Sequence, residues 1–293
     1  MRAGVLNVDK PAGSTSFTVV RRLREVTGAG RVGHAGTLDP LATGVLPVLF
    51  ESATRLAEFA LRLPKTYLAD IHLGFRTVTD DAEAELEPVR DPSHLDAAGV
   101  EAALGRFQGT ISQRPPAYSA VKVGGRRAYE RAREGDDQPP AAREVEVYEA
   151  TLLGFEPGSR AVAHVRVVCG SGTYLRSLAR DLGEALGVGG YLGKLVRSAY
   201  GPLRLEESVG LEELTGVEAV EARLLPPEVV LPGMQSVKLT VEQEAAIRQG
   251  RAVRVVPEPG PGPLRAHDAR GKLVAVGHCD PLRRTFVPEK VFS

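Results

Sequence analysis

Hydrophobic and polar positions follow two periods along the chain. A period of two runs through residues 66–74, where Tyr67, Ala69, Ile71 and Leu73 share one face. That alternation predicts a half-buried strand. Short apolar runs at 5–10, 145–155 and 161–169 predict further strands. A helical period appears first at 17–27, where Phe17, Val20 and Leu23 recur with Arg21, Arg22 and Arg24 between them. Ser14, Thr15 and Ser16 offer an N-cap there, and Gly28 a stop. Helices are also predicted at 56–63, ended by Pro64, at 95–107, and at 174–186 with a buried stripe of Leu175, Leu178, Leu182 and Ala185. The glycines of 187–193 predict a turn.

Two stretches fit neither period. Residues 113–145 contain Pro115-Pro116, a Gly124-Gly125 turn, a basic helix-like run at 126–133 and the breakers Asp136, Asp137, Pro139 and Pro140. They are expected to protrude as an insertion. Residues 204–230 are acidic, and with Pro226, Pro227 and Pro232 they read as a linker. From Val237 a compact unit begins, with a short helix at 242–249, a Gly250 stop and several strands. These shifts divide the chain into a domain at 1–230, carrying the insertion, and a second at 231–293. No internal repeat is present.

At 293 residues the chain has room for one large domain or two ordinary ones. No apolar run reaches the roughly 20 residues that span a bilayer, and no signal-peptide apolar region opens the chain. A cytoplasmic location is expected. Cys169 and Cys279 make neither a zinc spacing nor a disulfide framework, so reduced, packed thiols are expected. The six histidines lack ligand spacing, so no metal is expected. Net charge is zero but segregated: residues 113–135 carry six bases against two acids, and 233–293 carry ten against six. Such segregation lets a neutral protein present a basic face to phosphates.

The candidate chemistry centres on Gly33-His-Ala-Gly-Thr-Leu-Asp-Pro-Leu-Ala-Thr-Gly-Val-Leu-Pro47. Three glycines and two prolines give it an unusual backbone path. Its one acid, Asp39, precedes Pro40, which pushes it into an extended conformation. Asp39 also fits a helix N-cap with proline at the first helical position. The preceding Gly28-Ala-Gly30-Arg-Val-Gly33 matches the dinucleotide-binding pattern by letter. That pattern requires a strand before it and a helix after it, and the order here is reversed. Residues 187–194 fail the phosphate-loop spacing and lack its hydroxyl.

The Gly33–Leu46 stretch resembles the catalytic motif of the TruB-type pseudouridine synthases. Further similarities follow in order: Asp9-Lys10-Pro11-Ala12-Gly13, Lys65-Thr66-Tyr67, Pro116-Ala117-Tyr118-Ser119-Ala120-Val121-Lys122, Gly172-Thr173-Tyr174-Leu175-Arg176 with Asp181-Leu182-Gly183, and Leu195-Val196-Arg197. Val78, Ala84 and Val196 depart from the family pattern. The resemblance implies an α+β fold: a central mixed, largely antiparallel sheet flanked by helices and loops, plus a small β-rich, PUA-like C-terminal domain that binds RNA. It implies isomerisation of uridine 55 in the T-loop of tRNA, with no cofactor and no metal, by a stand-alone enzyme.

The same resemblance assigns the residues. Asp39 becomes the essential carboxylate, either a nucleophile or a base toward the ribose. Arg176 becomes its partner, favouring the ionised form. Tyr67 becomes the ring that stacks on uracil and takes the C5 proton. Tyr174 and Leu195 line the pocket, and Lys10 and Arg197 join them as substrate-binding residues. His34 fills the space vacated when the uridine leaves its stack. Arg126, Arg127 and Arg131 of the insertion grip tRNA phosphates. Two other readings remain open: an RNA-folding protein with a dispensable site, and a subunit of an RNA-guided enzyme. Oligomeric state is expected to be monomeric.

Overall fold

The computed structural model describes all residues except 120, 124, 129, 130, 132, 133, 136–139, 256–261, 281 and 293. Its framework is a ten-stranded mixed sheet. The first contributors are β1 (Gly4–Lys10), β2 (Val32–His34) and β3 (Thr43–Phe50), with helix α1 (Ser16–Thr27) between β1 and β2. Helix α2 (Ala57–Arg62) leads into β4 (Lys65–Leu73). The hairpin β5 (Phe75–Arg76) and β6 (Glu87–Pro88), helix α3 (Ala97–Leu104) and β7 (Gly109–Gln113) follow. Within the insertion, β8 (Lys122–Val123) pairs with β9 (Arg126–Arg127). The sheet is completed by β10 (Arg143–Glu156), β11 (Val162–Cys169), helix α4 (Leu175–Ala185), β12 (Gly190–Tyr200), β13 (Leu203–Arg204) and β14 (Val209–Gly210).

Strand order is β14-β1-β3-β12-β4-β11-β10-β7, with β2 beside β3 and β13 beside β12. Only β3 with β12 and β14 with β1 run parallel; the other pairs are antiparallel. The expected mixed, largely antiparallel sheet is therefore present. Its two halves differ in burial. β4 alternates as its sequence predicts, with Tyr67, Ala69, Ile71 and Leu73 packed against α3 and α4. β1 and β3 are covered on both sides: Leu6, Val8, Leu46, Val48 and Phe50 pack toward α1, while Val5, Val45 and Leu49 face the opposite way. Burial on both faces explains their continuous apolar sequences.

Several elements depart from expectation. The predicted turn at 187–193 is present only at 187–189, where Gly187 and Gly189 have positive φ; residues 190–193 start β12, the strand between β3 and β4. Its glycines admit close packing: a Cβ on Gly190 would lie 2.5 Å from the Ala179 carbonyl oxygen, and one on Gly193 2.2 Å from the His72 ring. The expected linker at 204–230 is packed structure. β14 pairs with β1, Leu225 bridges Val5, and Val220 and Leu224 join the core beneath α1. Phe17 is 70% exposed, because Val19 replaces it on the inner face of α1. Ala185 is likewise exposed, and Ala179 takes its place in the stripe of α4. Arg126 and Arg127 lie in a strand, so the basic run is not helical from its start. Gly124, Arg133, Asp136, Asp137 and Pro139, also invoked in that reading, fall outside the described residues.

A second, five-stranded sheet forms from β15 (Gln235–Lys238), β16 (Val253–Arg254), β17 (Pro263–His267), β18 (Leu273–Asp280) and β19 (Thr285–Val291). Its order is β15-β17-β18-β19-β16. Leu273, Val276 and Phe292 pack into one cluster with Leu49, Leu56 and Val230, so the two sheets share apolar contact. Among the described residues no helix is long and apolar enough to cross a membrane.

Candidate active site

The 33–47 stretch folds as a strand, a turn and a strand rather than as a long loop. Ala35 N–H bonds the Pro47 carbonyl at 3.0 Å, closing β2 on β3. Gly36 and Gly44 are the glycines that this path requires. Their φ angles are +74° and +99°, and a Cβ on Gly44 would lie 2.4 Å from the Arg197 carbonyl oxygen. Asp39 caps no helix. Its carbonyl accepts from Ala42 N–H at 3.1 Å in a turn that runs into β3. Its side chain is left to point elsewhere.

It points to Arg176. Asp39 Oδ2 lies 2.9 Å from Arg176 Nε, with the carboxylate 30% exposed and the guanidinium 6%. The N–H is not aligned with that oxygen, so the contact is an ion pair more than a linear hydrogen bond. Arg176 occupies the first turn of α4. Its other nitrogens reach Asp81 at 3.4 Å, the Thr79 carbonyl at 3.2 Å and the Tyr118 carbonyl at 3.1 Å. One guanidinium thus joins the Asp39 turn, the segment after β5 and the root of the insertion. Such a planar fork with five donors suits a junction of this kind.

These residues border a cleft of about 600 Å³. Tyr67 and Leu195 form an apolar wall, with Tyr118 and Tyr174 at other positions of the lining. The Tyr67 phenol is pushed up by burial, which the nearby Arg197 partly opposes. It is therefore a neutral hydroxyl at ordinary pH. Tyr174 is fixed through its backbone, which exchanges two hydrogen bonds with the Gln113 side chain, and the Arg143 guanidinium lies 5.4 Å from its ring centre.

Other expected contacts sit differently. Lys10 is wholly buried, with Nζ bonded to the carbonyls of Pro11, Ser14 and Pro40 at 2.9, 2.7 and 3.2 Å. It stands behind the Asp39 turn and holds it, outside the cleft lining. Burial lowers its pKa to about 8, against the pull of Asp39. Arg197 lines the cleft yet is only 1% exposed, donating to Val45 and Gly36 carbonyls at 2.6 and 3.2 Å. His34 lies on β2 outside the cleft lining; burial, then Arg197, lowers its pKa. Arg126 pairs with Glu134 at 2.5 Å, Arg131 is partly buried, and the side chain of Arg127 lies outside the described residues.

Sequence reasoning overlooked Asp81 and Lys65. Asp81 belongs to the acidic run 80–101, which reads as a solvated face, yet its side chain is 2% exposed and accepts from Thr79 Oγ1 at 2.6 Å and Glu83 N–H at 3.0 Å. Its threonine neighbours were the available signal. Lys65 opens the tyrosine strand and also lines the cleft. Among the described residues no group of acids, histidines and cysteines has the arrangement to hold a metal ion.

Comparison with solved structures defines the class. A chain of a Cbf5-Nop10-Gar1 complex superposes with a TM-score of 0.73 over 99% of this chain and 84% of that one, at 27% identity. A chain titled as an H/ACA ribonucleoprotein bound to a substrate RNA containing 2'-deoxyuridine gives 0.73, over 99% and 85%, at 25% identity. This is the pseudouridine synthase fold. Family models narrow it: the N-terminal domain of the TruB family pseudouridylate synthases matches residues 24–175, and the C-terminal domain of tRNA pseudouridylate synthase B matches 176–232. The tRNA pseudouridine synthase B of Thermobifida fusca is 46% identical over 276 residues, 92% of this chain and 93% of that one. That of Symbiobacterium thermophilum is 46% identical over 252 residues, 86% and 83% of the two chains. The chain belongs to the TruB family of pseudouridylate synthases.

Proposed function

We propose that this chain is a stand-alone tRNA pseudouridine synthase that isomerises uridine 55 of the T-loop. The observation that carries the reading is the Asp39–Arg176 ion pair at the edge of a cleft walled by Tyr67 and Leu195. The reaction breaks the N1–C1′ bond, turns the uracil and rejoins it through C5. Nothing is added or removed, so the residues need only position the base, manage charge and move a proton. Asp39 acts on the sugar, either by bonding C1′ or by taking a ribose proton. Arg176 keeps its carboxylate directed into the cleft. Tyr67 stacks on the uracil. Its buried, neutral phenol is better suited to accept the C5 proton as another leaves than to act as a free phenolate.

The target uridine reaches Asp39 only after leaving its stack, at a cost of a few kcal/mol. His34, outside the cleft lining and held neutral by burial, acts on the opened RNA stack and not on the reacting bond. Arg126, Arg127 and Arg131 meet phosphates of the tRNA elbow. Residues 1–230 form the catalytic domain, and 231–293 a PUA-like RNA-binding domain. The enzyme is read as a monomer that works in the cytoplasm, where tRNA matures.

The test is release of tritium from tRNA labelled at uracil C5. Wild type releases about one equivalent, while Asp39→Asn releases none and still binds tRNA. Turnover by Asp39→Asn would overturn the mechanism.

A further inference from the structure

Among the described residues, two cations of the cleft have no counter-ion. Lys65 is 5% exposed and Arg197 1%. Neither has a carboxylate within 4 Å among the described residues, whereas Arg176 has two. Lys65 Nζ bonds the Leu61 carbonyl at 2.6 Å and Ser171 Oγ at 3.0 Å. Arg197 bonds two carbonyls. Both cations rest on one ring: Lys65 Nζ lies 4.8 Å from the Tyr200 centroid and Arg197 Cζ 5.0 Å from it. The acids nearest Lys65 do not neutralise it. Burial pushes the Cys169 thiol up to about 11 and raises both Tyr67 and Tyr200, leaving all of them uncharged. Burial and Arg197 together lower Lys65 itself to about 8. Ring faces and carbonyl dipoles soften this pair of charges without cancelling it. Unpaired buried charge is costly, and a fold that holds it in a binding cleft has it set for a negative ligand.

We propose that Lys65, with Arg197, stabilises the negative charge that develops on uracil while it is detached from the ribose. The inference rests on the pseudouridine synthase reading. When N1–C1′ breaks, its electron pair leaves with N1, and uracil becomes a monoanion. The pair returns when C5 bonds C1′. The C5 proton then departs and N1 regains one, so atoms and electrons balance whichever way Asp39 first acts. The adjoining walls, Tyr67 and Leu195, are apolar and fit the faces of a planar base. Fixed cations aimed at developing charge in such a site accelerate the step without binding the ground state more tightly.

The experiment compares single-turnover rate and Kd on a T-arm hairpin carrying uridine or 6-azauridine at the target. The ring nitrogen makes 6-azauracil the more acidic base, so its anion depends less on outside stabilisation. Lys65→Met should slow the uridine substrate by about 10²-fold with little change in Kd, the scale found on removing one charge-stabilising donor. The loss should shrink markedly on 6-azauridine. Lys65→Gln keeps hydrogen bonding but not charge and should behave like Lys65→Met; it carries the test should Lys65→Met fail to fold. Lys65→Arg should recover part of the rate. Equal losses on the two substrates, an unimpaired Lys65→Gln, or a loss confined to Kd with a flatter salt dependence would overturn the proposal, the last pointing to a backbone phosphate instead. An inactive wild type would instead refute the underlying activity.

Discussion

The Asp39 turn and the basic insertion, both assigned to RNA in the proposed function, are held in opposite ways. The turn is tied from every side. Lys10 grips the Pro40 carbonyl, Gly13 N–H bonds the same carbonyl at 2.9 Å, Ser16 Oγ brackets Leu38 through N–H and carbonyl, and Arg197 takes Gly36 and Val45. The insertion is tied to the framework at its root. Ser177 Oγ and Arg180 bond the Arg114 carbonyl at 2.8 and 3.0 Å, and Arg176 bonds that of Tyr118. The contrast fits the two tasks proposed for them. A carboxylate acting on C1′ loses about 10²-fold in rate for an ångström of misplacement. Phosphate contacts tolerate displacement, because charge attraction falls off gradually with distance. Arg176 belongs to both systems and couples them.

Removing that coupling should have the largest effect. Arg176→Lys keeps a charge but cannot reach Asp39, Asp81, Thr79 and Tyr118 from one rigid fork. The expected result is a fall in kcat of roughly 10²-fold or more with a smaller change in KM, read by tritium release. A pure KM effect would mean that Arg176 serves the insertion alone. Next comes Gly44→Ala. Its Cβ would need a positive φ and would strike the Arg197 carbonyl. A loss of about 3 kcal/mol in urea unfolding is expected. Gly125→Ala, inside the insertion, also has a positive φ but meets nothing within 4 Å, and should cost only about 1 kcal/mol. Equal costs would erase the claimed difference in constraint.

How far these regions were legible follows from the same contrast. β4 shows itself through strict alternation, because one face meets the core. The bends at Gly36 and Gly44 are legible because those positions need positive φ. β12 was hidden: its glycines are there to admit neighbours such as His72 and Ala179, and locally they mimic a turn. Residues 204–230 were hidden for a related reason. Their acids face outward while isolated apolar residues, Val209, Val220 and Leu224, make the contacts that define them as core. The Asp39–Arg176 pairing came from family resemblance, since 136 intervening residues give no local signal. Lys10 was named through its motif's resemblance, and only the fold shows three carbonyls converging on it.

Lys10 also gives the turn a pH signature. Its folded pKa of about 8 is below the ordinary lysine value, so the unfolded chain binds its proton more strongly between the two. Stability from this group therefore increases as pH rises from about 8 toward 10. It is lowest below 8, where the folded protein must hold a buried ammonium. Relative to Lys10→Met, wild type should gain on the order of 1 kcal/mol across that window in urea titrations. A flat difference would show that the three carbonyls fully compensate the burial of the charge.

The smallest effect is expected from the insertion, and it is one of slope. If Arg126, Arg127 and Arg131 meet tRNA phosphates, each contact displaces condensed counter-ions. Binding then weakens with salt by about 0.7 to 0.9 logarithmic units per decade for each phosphate neutralised. Replacing all three with glutamine should flatten the plot of log Kd against log salt by about 2 to 3 units. The single-turnover rate on bound tRNA should hardly change, since no bond to the Asp39 turn is touched. Arg126 already has a carboxylate partner in Glu134, so in the complex it would exchange one anion for another. An unchanged slope would remove the segment from the interface. A changed slope accompanied by a slower bound-state rate would show that the insertion sets the catalytic geometry through Tyr118 and Arg176, and that the two regions act as one.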